Sequence, residues 1–160
     1  MGTSSENGAC ATLTAVRTFG YGTSQVDKRY TANLYSDTVR VDGKIVRLED
    51  GEPLVYMPLA VEVNLTNSPF IKNAGARMAK YEVDRNAYND GKSPDNDIVL
   101  FRYADVLLMK AEAKARNGEV ADNELNAVRQ RSGMGYRPAT LDNILAERLM
   151  ELMWEGWRRN

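Results

Sequence analysis

Histidine is absent from this 160-residue chain, and its one cysteine, Cys10, sits in a small, polar N-terminal stretch. Those two facts remove the commonest general base, the commonest metal ligand and every Ser/His or Cys/His nucleophile pair. A lone cysteine makes neither an internal disulfide nor a thiolate metal cluster, so Cys10 reads as incidental. Paired carboxylates are the remaining enzymatic option, because glycoside hydrolysis needs two acids at a set separation. With 22 acidic residues some pair always looks suitable, so the signal discriminates nothing and the expectation is a protein that is not an enzyme. Carboxylates also gather around 86–96, where Asp90 and Asp95 precede Asp97 among Asn, Gly and Pro. Clustered oxygens suggest calcium, yet the sixth-position Gly and twelfth-position Glu of an EF-hand loop are missing. Turn chemistry and helix entry are the favoured account of these residues, calcium is the minor alternative, and no cofactor is expected.

The rest of the composition narrows the partners. Twenty-one basic side chains against 22 acidic ones leave a net charge of -1, so no global field favours nucleic acid or anionic lipid. Residues 1–6 lack the basic region and apolar core of a signal peptide. Gly8-Ala9-Cys10 hints at a bacterial lipid-attachment cysteine, but without an apolar run upstream the start reads as internal to a longer protein. No window approaches the roughly 18 consecutive apolar residues of a membrane span.

Whatever residues carry function must be positioned by two stretches of different grammar. Residues 1–96 hold most of the 12 glycines and four of the five prolines, with short apolar runs and no sustained helical period. Loops and short strands are expected there. The clearest element is a hairpin, Val39-Arg40-Val41 and Lys44-Ile45-Val46-Arg47 around Asp42-Gly43, because Asp-Gly accepts the positive φ angles of a type I′ turn. Leu54 to Met57, Val61 to Leu65 and Met78 to Val83 are weaker strand candidates.

From about Leu100 the period becomes helical. Leu100, Ala104, Leu107, Leu108, Ala111 and Ala115 form one apolar stripe, Tyr103, Val106 and Met109 widen it, and Asn117-Gly118 supplies a stop. A second helix, about Ala121 to Ser132, buries Ala121, Leu125 and Val128 and closes at Gly133 and Gly135. A third begins after Thr140, with Asp142 in its first turn and Ile144, Leu145, Leu149, Leu152 and Met153 on its apolar face. Glu147, Glu151, Glu155 and Arg159 recur every four residues and read as a solvent-facing charged row. The expected fold is mainly α: a tetratricopeptide-like helical hairpin plus a further helix over 97–160, with a loop-rich 1–96 carrying short hairpin strands.

Three blocks then carry a resemblance. Arg102-Tyr103-Ala104-Asp105-Val106-Leu107-Leu108-Met109-Lys110-Ala111-Glu112-Ala113, Leu125 to Arg131, and Ile144 to Arg148 continuing through Glu151 to Asn160 resemble the C-terminal signature of the SusD/RagB family. Asp27-Lys28-Arg29-Tyr30 and Arg77-Met78-Ala79-Lys80-Tyr81 resemble weaker landmarks of the same family. The resemblance implies a lipid-anchored outer-membrane protein of Bacteroidetes-type bacteria, exposed at the cell surface. It implies binding of a glycan or other nutrient, without catalysis, in partnership with a SusC-like TonB-dependent transporter. Family members are several times longer, and the Asp-Leu step that follows their Glu-Gly-x-Arg run is absent after Asn160. The two stretches therefore read as part of one larger domain, whose apolar helix faces other segments would cover.

For such a binder, sugar C-H faces stack on aromatic rings while polar side chains hold hydroxyls, which makes Tyr21, Tyr30, Tyr35 and Tyr56 the candidate ligand residues. Arg102, Tyr103, Asp105, Glu112, Arg129, Glu147, Arg148, Glu155 and Arg158 lie in the signature blocks as structural residues, the charged ones tying helix to helix. Trp154 and Trp157, at helical spacing beside Met150 and Met153, read as packing residues. The competing expectation is a helical interaction module with a protein partner and no sugar site.

Overall fold

The computed structural model describes residues 9–60, 72–81 and 97–156. They fall into two compact units, one drawn from 1–16 and 31–97 and the other from 17–30 and 98–160. The division is not a single cut near 96, because 17–30 leaves the loop-rich stretch and joins the helices.

The first unit is built of short pieces. Helix α1 (Leu13–Thr18) starts in it, with Thr12 Oγ1 accepting the Ala15 amide at 3.2 Å, and α2 (Tyr30–Asn33) runs into it. Both are helical where strands or loops are predicted. Among the described residues six two-residue strands follow: β1 (Leu34–Tyr35), β2 (Asp37–Thr38), β3 (Arg40–Val41), β4 (Lys44–Ile45), β5 (Val55–Tyr56) and β6 (Arg77–Met78). They pair antiparallel as β1 with β6, β2 with β5 and β3 with β4. The β3–β4 turn is the expected one, with φ of 53° at Asp42 and 75° at Gly43. The Leu54–Met57 candidate contains β5, while of Met78–Val83 only Met78 is strand, in β6; residues 79–81 are not strand, and 82 and 83, like Val61 to Leu65 and 86–96, lie outside the described residues. Cys10 has a place in this unit. It bridges to Arg77, and a Cβ on Gly75, whose φ is 71°, would come within 2.9 Å of the Cys10 side chain. Only glycine fits that approach.

The second unit holds α3 (Tyr103–Arg116), α4 (Asp122–Arg131) and α5 (Leu141–Glu151). Leu108 and Ala111 from α3, Leu125 and Val128 from α4, Ile144 from α5, and Ala121 make its core, edged by Ala104, Leu107, Ala115 and Ala139. Burying each large apolar side chain contributes about 1.5–3 kcal/mol, more than the propensity of any one of these short helices supplies. Helix α3 ends as the sequence indicates, with Gly118 at φ 75°, and the Thr140 hydroxyl caps α5 by accepting the Asn143 amide at 3.2 Å. The α4–α5 connection is pinned by Asn126, which donates to the Arg137 carbonyl and accepts its amide, both at 2.8 Å. The mainly helical fold is thus as expected.

Several local expectations are overturned. Helix α3 starts at Tyr103, so Leu100 precedes it and is 70 % exposed. Tyr103, Val106 and Met109 are exposed as well, because the facing helices cover only the narrower Ala104-Leu107-Leu108-Ala111 side. On α5, Met150 is buried where Leu145 is exposed. The row expected to face solvent points inward: Glu147 is 0 % exposed and Glu151 is buried too. Helix α5 stops at Glu151 and Trp154 has φ 68°, so Trp154 is not on that helix, while Trp157, Arg158 and Arg159 lie outside the described residues.

Candidate functional site

The first unit brings two of the four candidate tyrosines beside Arg77, Tyr35 by strand register and Tyr56 by ring contact. Tyr35 stands opposite Arg77 in the β1–β6 pair, and Asp37 stands opposite Tyr56 in the β2–β5 pair. Backbone bonds stitch the end of β5 to the chain leading into β6: the Met57 amide donates to Asn73 and the Gly75 amide to Met57, at 2.8 and 2.9 Å. This lays the Arg77 guanidinium over the Tyr56 ring, its carbon 5.4 Å from the centroid, within cation–π range. Tyr35 remains 37 % exposed and Tyr56 is half-buried. Asp37, also exposed, accepts a 3.0 Å hydrogen bond from the Ser36 hydroxyl. An open aromatic face, a guanidinium and a carboxylate are the groups that hold a polyol.

Tyr21 and Tyr30 belong to the second unit and do something else. Tyr30 is only 3 % exposed, stacked on Tyr21 at 5.3 Å and edge-on to Phe19 at 5.8 Å. A ring enclosed on two sides presents no platform, so Tyr30 is corrected from ligand candidate to core residue, with Tyr21 as its cover.

The signature residues form a charge network within the second unit. Arg29 makes a two-point contact with Asp27, at 2.9 and 2.8 Å, and its Nη1 reaches Glu147 at 2.7 Å and Glu151 at 2.9 Å. The other Glu147 oxygen accepts from Arg129 at 2.7 Å. Arg102, just before α3, donates to Glu151 at 2.7 Å and to Glu155 at 2.8 Å, Arg131 of α4 also bonds Glu151, and Arg148 pairs with Asp105 at 2.8 Å. Buried ion pairs hold only when each charge is matched, and here each carboxylate meets at least one guanidinium. Glu112 departs from the expected pattern: it pairs with Arg116 one turn along α3, on the surface, and ties no helix to another. Lys110 and Lys114 reach Glu124 at 3.0 and 3.1 Å and make that α3–α4 tie instead.

The environment sets how these acids titrate. Burial is the largest influence on Glu151 and pushes its carboxyl up, but hydrogen bonds from Arg102 and Arg29 and attraction to Arg102 and Arg131 outweigh it, leaving the group below the usual range. Asp27 follows the same pattern, with burial opposed by its bonds from Arg29, and is also lowered. Glu124 is held at about 2 by the hydrogen bonds from Lys110 and Lys114. A general acid in glycoside hydrolysis needs the opposite, a carboxyl raised toward neutrality. These carboxylates are structural cations' partners, and the network locks helices together.

Sequence reasoning placed Glu147 and Arg129 among the structural residues but missed Asp27 and Arg29 as their partners. The available signal was Asp-Lys-Arg-Tyr itself, two opposite charges spaced to share one turn. A shallow cleft of about 340 Å³ also opens beside α3 and α4, lined by Arg102, Tyr103, Ala104, Leu107, Val128 and Arg131 among others.

The helical unit is a scaffold cross-linked by arginine–carboxylate pairs, joined in sequence to a loop-rich unit of short strands. The SusD family model matches residues 23–160, and the chain belongs to that family. It is 33 % identical over 86 residues, 52 % of its length, to the starch-binding protein SusD of Bacteroides thetaiotaomicron, covering 16 % of that relative. It also resembles the solved surface glycan-binding protein A of Bacteroides uniformis, with a TM-score of 0.60 and 25 % identity. That likeness covers 89 % of this chain and 27 % of the other, so the chain spans about a sixth to a quarter of these relatives.

Proposed function

We propose that this chain is part of a glycan-binding component of an outer-membrane uptake system, surface-exposed, lipid-anchored and working with a SusC-like TonB-dependent transporter. The family match over 23–160 carries this reading, because its residues coincide with the network that organises the helical unit. The names of its relatives, a starch-binding and a surface glycan-binding protein, support the ligand class. Depressed carboxyls at Asp27, Glu124 and Glu151 agree with binding rather than catalysis. Affinity electrophoresis against a polysaccharide panel tests it: slowed migration in at least one gel is expected.

A second reading, a helical module whose partner is protein alone, is favoured by the exposed Phe101, Tyr103 and Val106. Unchanged migration in every polysaccharide gel, together with capture by the transporter, would replace the first reading with this one.

A further inference from the structure

Resting on the glycan-binding reading, we propose that Tyr35, Asp37, Tyr56 and Arg77 form a contact patch for a neutral oligosaccharide. The strand register supplies the juxtaposition. Directly opposed residues of an antiparallel pair share a face about 5 Å apart, so Tyr35 neighbours Arg77 and Asp37 neighbours Tyr56. The Arg77–Tyr56 stack then joins the two pairs into one row, Tyr35, Arg77, Tyr56, Asp37, across three connected segments.

Each member supplies a different part of sugar recognition. Tyr35 offers an exposed ring for a pyranose C-H face. Asp37, when ionised, carries only acceptors, so it takes the proton of a sugar hydroxyl, while Arg77, whose Nε and Nη2 are buried, offers its Nη1 as the donor to the hydroxyl oxygen. Stacking on Tyr56 restrains the long Arg77 side chain before any ligand arrives, which lowers the ordering cost of binding. The cation and the anion balance, so the patch has no net charge to favour a uronate over a neutral sugar.

The test is affinity electrophoresis of the whole 160-residue chain against a glucan, a xylan, a mannan and polygalacturonate. Tyr35→Ala and Asp37→Asn are compared with Phe101→Ala, an exposed aromatic of the other unit, and circular dichroism checks folding of each variant. A retarded wild type, binding weakened about two- to twelve-fold by Tyr35→Ala and weakened by Asp37→Asn, with Phe101→Ala unchanged, is the expected result. Unchanged retardation of a folded Tyr35→Ala chain would overturn the patch and leave the glycan-binding reading standing. Preference for polygalacturonate would overturn the neutral ligand class. Failure of the wild type in all four gels would remove both.

Discussion

Glu147 shows how much one side chain can organise. Its two oxygens face different arginines, Arg29 from the segment before α2 and Arg129 from α4, and all three side chains are buried. Removing it leaves the Arg129 guanidinium buried without its carboxylate, while Arg29 keeps Asp27 and Glu151, so Glu147→Ala is expected to lower stability by about 3–5 kcal/mol, measured as the urea unfolding midpoint. Glu112→Ala, which breaks an exposed pair with Arg116, should stay within about 0.5 kcal/mol of the wild type. Equal losses in the two variants would contradict the assignment. The acids also predict a pH response. Asp27, Glu124 and Glu151 titrate lower in the folded chain than in the unfolded one, so on acidification the unfolded chain takes up protons first. The stability they lend is complete above their ordinary values, 3.8 for Asp and 4.5 for Glu, and is lost as the pH falls toward about 2. Thermal midpoints should therefore hold from about pH 8 to about pH 5 and drop below that, and a rise on acidification would refute the sign. None of this direction was legible from α5 alone. Spacing of four puts Glu147, Glu151 and Glu155 on one side, but whether that side faces water depends on Arg29, which is 122 positions from Glu151.

Elements were more legible where their ends carry local chemistry. Asp42-Gly43, Asn117-Gly118 and Thr140 each do what their residue types dictate, and each marks a boundary within a residue or two of the observed one. The α3 start was missed because Leu100 continues the helical stripe in sequence, while Arg102, extended at φ -145° and ψ 155°, interrupts it in the chain. No propensity signals that, since Arg102 is drawn out by Glu151 and Glu155. Two substitutions test these ends. Thr140→Ala should destabilise by about 1 kcal/mol through loss of the cap to Asn143, while Ser at that position should restore it. Gly75→Ala should do more than Gly118→Ala in thermal melts. Both glycines have positive φ, but a Cβ at Gly75 also meets Cys10 at 2.9 Å, whereas nothing lies within 4 Å at Gly118. If Cys10→Gly, which removes both the Cβ and the Sγ that Gly75 approaches, fails to soften the Gly75→Ala loss, the contact is not its cause.

At the scale of the molecule, the apolar surface is distributed in a way that its own core does not require. Tyr103, Val106 and Met109 repeat along one side of α3, and Ile98, Leu100 and Phe101 extend that row ahead of the helix, all exposed. The sequence pattern marks Leu100, Tyr103, Val106 and Met109 as buried-type positions, yet α4 and α5 face the opposite, alanine-rich side. The expectation of uncovered helix flanks came from the family resemblance, and periodicity alone would have closed them into a core. A contiguous row of this kind binds apolar probes and drives association, whereas scattered surface residues do not. The isolated 160-residue chain should therefore enhance the fluorescence of an apolar dye and sediment with a weight that rises with concentration. Replacing Phe101 and Val106 together by Ser should roughly halve the dye signal while leaving the unfolding free energy within about 1 kcal/mol of the parent, because neither side chain packs into the core. A large loss of stability in that double variant would instead show that the row is already covered within the chain. A dye signal that survives both substitutions would place the open apolar surface elsewhere than on this side of α3.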